Sequence, residues 1–88
     1  MSSRARFEAL YRAHCARVAA FVHRRMPAAT GDDVVAEVFL IAWRRLEEIP
    51  EDELAWLLRI TRGVLSNRRR EEGRSSALRE RLSAHASR

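Results

Sequence analysis

Three groups of side chains in this 88-residue sequence have types and spacings that could do chemistry. The first is Arg59, Arg62, Ser66, Arg69 and Arg70, which fall on one arc when residues are placed at ~100° intervals, with Gly63 and Asn67 beside them. Arginine's planar fork binds phosphate bidentately, and Ser and Asn reach base edges, so the mixture suits nucleic acid. Trp56, at the start of the same segment, has a ring that could stack on an unpaired base, although a place at the core edge suits it as well. The second group is Asp33 and Glu37, one helical turn apart beside Leu40 and Ile41. Acids flanked by aliphatics form a docking face for a basic partner helix. The third is His14, Cys15 and His23. His14 and Cys15 diverge by about 100° on a helix and His23 lies about two and a half turns away, so helix packing explains them better than a metal site.

Nothing in the chain has the layout of a catalytic centre. It has no glycine-rich phosphate loop, no nucleophile elbow and no HExxH helix. The acid pairs Asp32/Asp33 and Glu47/Glu48 are sequence neighbours that point apart. The expectation is a binding module with no catalytic residue, metal or cofactor. Surface helices often carry arginines or begin with acids, so neither charged face decides the function by itself.

The elements that must position these faces read as helices. Three Gly, two Pro and no repeat leave long uninterrupted segments. Ser2 or Ser3 caps a first helix that runs to about Met26, with Phe7, Leu10, Tyr11, Val18, Phe21 and Val22 as its apolar stripe and its arginines facing water. Pro27–Gly31 is the connection. Thr30 caps a second helix with Asp32 and Asp33 in its first turn, ending near Arg45 or Leu46 and burying Val35, Val38, Phe39, Ala42 and Leu46. An acidic loop, Glu47–Glu53, carries Pro50. The third helix runs from Asp52 or Glu53 to Arg70 and buries Leu54, Leu57, Leu58, Ile60, Val64 and Leu65. Gly63 costs it roughly 1 kcal/mol relative to Ala, which hints at a close approach there. Glu71–Arg74 interrupts the pattern, and Leu78 and Leu82 alone cannot hold the last segment as a helix. The fold class is all-α: a compact bundle of three main helices over residues 1–70, with 71–88 a tail, a short C-terminal helix or the start of a linker.

Charge divides the chain in the same places. Residues 1–31 carry six Arg and one Glu, 32–53 eight acids and two Arg, and 54–88 nine Arg and three Glu. A basic–acidic–basic order gives two faces for two kinds of partner. One cysteine excludes an internal disulfide, and no apolar run approaches the ~20 residues that span a bilayer. A cytoplasmic protein without membrane insertion is expected.

Phe7-Glu-Ala-Leu-Tyr11, then Asp33-Val-Val-Ala-Glu-Val-Phe39 with Ala42-Trp43, then Trp56-Leu-Leu-Arg-Ile60 and Asn67-Arg-Arg-Arg70 resemble, in order and spacing, region 2 of the sigma-70 family, most nearly its extracytoplasmic-function group. The resemblance implies docking on the clamp helices of the largest subunit of core RNA polymerase through Asp32, Asp33, Ala36, Glu37, Leu40, Ile41 and Arg44. It implies recognition and opening of the promoter −10 element, mainly on the non-template strand, through the 47–53 loop and through Trp56, Arg59, Arg62, Gly63, Ser66, Asn67, Arg69 and Arg70. An anti-sigma protein covering these surfaces is a further partner that the family implies. Three features depart from its pattern: Ala36 stands where Gln is usual, Gly63 where Asn is common, and the 47–53 loop is short with five acids. The family's −35-reading domain has no counterpart here. Two rival readings remain, a sigma-like interaction domain held by an inhibitor and a helix-turn-helix regulator of duplex DNA; the roughly seven-residue loop disfavours the latter.

Overall fold

The computed structural model describes residues 1–86. Three α-helices account for most of them: α1 (Ser3–His23), α2 (Ala28–Arg44) and α3 (Glu53–Ala86), with one 3-10 turn (Leu46–Glu48) between the last two. The all-α expectation holds, and the third helix absorbs the segment expected as a tail.

Helix α1 starts where Ser2 Oγ accepts the Ala5 N–H at 3.1 Å. Its end tightens before Pro27: the Arg24 N–H bonds the Ala20 carbonyl and the Arg25 N–H bonds the Val22 carbonyl. Helix α2 begins earlier than Thr30. The Pro27 carbonyl accepts the Gly31 N–H at 2.8 Å, and the Thr30 hydroxyl donates back to that same carbonyl at 3.1 Å instead of capping an N–H. Asp32 and Asp33 therefore sit in the second turn of α2. Gly31 is buried against the end of α1, where a Cβ would lie 2.6 Å from His23 Nδ1. The glycine thus permits the close turn between α1 and α2.

Helix α3 starts on Asp52, whose Oδ1 accepts the Ala55 N–H at 3.2 Å. It continues through Glu71–Arg74 without a break to Ala86. Glu, Arg, Ala and Leu are strong helix formers, and one glycine among them is tolerated. Residues 71–86 are all exposed, so this half of α3 projects from the bundle and stretches the molecule to 63 Å along its longest axis.

The core is shared by all the elements. Leu10, Val18 and Val22 meet Val34, Val38, Phe39 and Ala42, closed by Leu46, Ile49, Trp56, Leu57, Val64 and Leu65. Val34 is fully buried where Val35 was expected, and Val35 is half-buried. Leu54, Leu58 and Ile60 are half-buried too, while Trp56 and Thr61 take inner places. Thr61 is satisfied by donating to the Leu57 carbonyl at 2.7 Å. Two polar links lock the helix order: Arg6 Nη2 to the Ile49 carbonyl at 3.3 Å, and His14 Nε2 to Glu53 Oε1 at 3.0 Å.

Candidate polymerase and nucleic-acid interfaces

On α2, Asp32, Asp33, Ala36, Glu37, Leu40 and Arg44 are exposed and Ile41 is half-buried. Steps of three and four place Asp33, Glu37, Leu40 and Arg44 along one ribbon. Two acids of α2 have partners in the chain: Asp32 Oδ1 lies 3.1 Å from His23 Nε2, and Glu37 Oε2 lies 3.5 Å from Arg68 Nη2. Leu40 is 47% exposed and Trp43 45%. The indole rests edge-on against Phe7, 5.4 Å between ring centroids, so Trp43 belongs to the rim of this ribbon and to the core edge at once.

On α3, Arg59, Arg62, Gly63, Ser66, Asn67, Arg69 and Arg70 are all exposed. Asn67 Oδ1 accepts a hydrogen bond from Arg70 Nη2, which orients the amide. Trp56 is buried, 5% exposed, beneath the Arg45 guanidinium. It lines a hollow together with Pro50, Asp52, Ala55, Arg59 and Arg62, while the Arg45 guanidinium lies over its ring, 5.4 Å from the centroid. A Cβ on Gly63 would meet nothing within 4 Å. Among the described residues, nothing makes the close approach that a glycine at that position suggests.

The acidic loop is less repulsive than its composition implies. Glu48 forms a two-pronged pair with Arg45, each contact 3.2 Å, which holds its carboxyl below the usual carboxylate range and raises the Arg45 guanidinium. Glu53 faces His14 and Asp52 caps α3, leaving Glu47 and Glu51 as the exposed acids without a described side-chain role.

Arginines of α1 and of the turn just after it also reach the basic face, although helical periodicity predicts that they face only water. One hollow is lined by Phe21, Arg25, Arg62, Leu65, Ser66 and Arg69; a neighbour is lined by Arg17, Ala20, Phe21, Arg24 and Leu58. Among the described residues, Arg25, Arg59, Arg62 and Arg69 have no carboxylate partner, whereas Arg4, Arg45 and Arg68 do. Arg68 turns toward α2 while Arg62 and Arg69 turn toward α1. The two charged surfaces thus flank α3. No group of three or more His, Cys, Asp or Glu converges among the described residues, and no described helix is long and apolar enough to cross a membrane.

A helical bundle with an acidic–aliphatic ribbon on one helix and arginines without acidic partners on the next defines a module for two different partners. The family model described as sigma-70 region 2 matches residues 10–75, three quarters of the chain, and the chain belongs to that family. Domains of this family serve transcription initiation by binding RNA polymerase and recognising the promoter −10 element. No curated protein and no solved structure matches the chain.

Proposed function

We propose that the chain is region 2 of an extracytoplasmic-function sigma factor, acting in the cytoplasm, and that it works through two named faces. The α2 ribbon of Asp32, Asp33, Ala36, Glu37, Leu40, Ile41 and Arg44 docks on the clamp helices of core RNA polymerase. The α3 face of Arg59, Arg62, Gly63, Ser66, Asn67, Arg69 and Arg70 holds the non-template strand of the −10 element as the duplex opens. The observation that carries this reading is the pairing pattern: the acids of α2 that meet a partner meet it at an exposed edge, and among the described residues Arg59, Arg62, Arg69 and Arg70 of α3 meet no carboxylate. Trp56 supports the strand face from within, as the buried floor beneath Arg45. The connection between α2 and α3 spans residues 45–52, longer than the tight turn of a duplex-reading helix-turn-helix. Residues 1–70 form the working domain, and the projecting half of α3 begins the linker; Ser87 and Arg88 of that segment lie outside the described residues.

A labelled −10 non-template strand titrated with the chain, with core polymerase and with both tests the reading. Strand binding that tightens sharply only in the mixture is expected. Tight duplex binding by the chain alone, indifferent to polymerase, would favour a duplex regulator instead.

A further inference from the structure

The hollow between the end of α1 and the middle of α3 has the parts of an anion site, and one of them, Arg25, is held in place before any ligand arrives. At the end of α1 the Arg25 N–H turns to the Val22 carbonyl, and the Arg25 side chain satisfies the Phe21 carbonyl, Nη1 donating at 2.8 Å. That bond lays the guanidinium over the Phe21 ring, 3.5 Å from its centroid, as a cation–π contact. Arg62 approaches the same ring from α3, 5.4 Å from the centroid. Ser66 and Arg69, one and two turns further along α3, complete the rim. Three guanidiniums crowd one concavity whose lining contains no acid. Their mutual repulsion favours an anion between them, and fixing Arg25 beforehand lowers the ordering cost of binding one.

We propose that this hollow clamps a backbone phosphate of a single nucleic-acid strand, with Arg25, Arg62 and Arg69 as the phosphate binders and Phe21 positioning Arg25. The clamp rests on the strand-binding reading of α3 and extends the track onto α1, where Arg17 and Arg24 line the next hollow beyond Phe21. A phosphate clamp adds affinity without base preference.

The test is anisotropy of a labelled ~10-nucleotide strand on the complex of this chain with core polymerase, over a salt series, with a −10 and a scrambled sequence. Arg25→Ala is expected to lower affinity about tenfold for both sequences and to reduce the salt slope by about 0.7. Phe21→Leu, which keeps an apolar filler but removes the ring, should give a smaller loss in the same direction. Arg59→Ala, outside the hollow, is the reference for the α3 face, and polymerase affinity and helical circular dichroism should stay unchanged in all three. Unchanged affinity and slope in Arg25→Ala, with a loss in Arg59→Ala, overturns the clamp and leaves the α3 reading standing. A loss confined to the −10 sequence overturns it too, since that is base contact. If the unaltered complex binds no strand beyond what polymerase alone binds, the strand-binding reading falls and takes the clamp with it.

Discussion

Arg68 of α3 reaches back to α2, where its Nη2 lies 3.5 Å from Glu37 Oε2. The two helices that carry the two charged faces are therefore joined by an ion pair at the edge of the α2 ribbon. Glu37 remains 46% exposed in this pair, so its carboxylate is both braced and reachable. An exposed pair of this kind contributes about 0–1 kcal/mol to stability. Changing Glu37 should therefore tell on partners far more than on the fold.

Arg68→Ala isolates the brace. It removes the partner but leaves the Glu37 carboxylate in place. The midpoint of thermal unfolding should fall by only a few degrees, and polymerase affinity should drop less than with any change at Glu37 itself. A loss of polymerase binding equal to that of Glu37→Arg would make Arg68 a contact residue.

Gly63 and Gly73 occupy the same helix but different mechanical settings. A Cβ at either would meet nothing within 4 Å, so replacement by Ala carries no steric cost. Gly63 lies between the buried Thr61 and Val64, inside the packed half of α3. Gly63→Ala should stabilise the bundle by about 1 kcal/mol, raising the unfolding midpoint by about 5 °C. Gly73 lies in the fully exposed half. Gly73→Ala should add helical circular dichroism without moving the midpoint, and removing residues 75–88 should reduce helicity while also leaving it in place. A midpoint shift on truncation would show that the projecting helix packs on the bundle.

Leu57 is fully buried at the centre of the shared core. Leu57→Ala should cost about 2–5 kcal/mol, a large share of the stability of a chain this small. Chemical denaturation followed by circular dichroism would read it directly.

Glu48 provides the pH-dependent signature of the 3-10 turn. Its hydrogen bonds from Arg45 depress the folded-state pKa below the usual carboxylate range. The pair's contribution is therefore present above the ordinary carboxylate pKa and is lost as pH falls through the depressed one. In Arg45→Ala, a side-chain carboxyl NMR titration should find Glu48 moved upward. An unmoved titration would remove Arg45 as the cause.

Periodicity within a single helix reports the faces that belong to one helix. Glu37 and Leu40, Arg59 and Arg69 are exposed as their spacing predicts, because each face belongs to one helix. Helix ends were harder. Thr30 has the look of a cap, yet its hydroxyl finds the Pro27 carbonyl, which moves the start of α2 to Ala28. Glu71–Arg74 looks like a break because charges and a glycine interrupt the apolar pattern, but those charges are good helix formers and α3 passes through them. The Phe21–Arg25–Arg62 hollow left no mark in the sequence: its residues come from two helices, and Arg25 stands beyond the last turn of α1.

Docking of the α2 ribbon on polymerase is read out by a fluorescence titration of the chain against core RNA polymerase, with and without Glu37→Arg. Saturable binding by the unaltered chain and loss of binding in Glu37→Arg are expected, with the helical circular dichroism of both proteins the same. Equal affinity of the two for polymerase, with both folded, would contradict it.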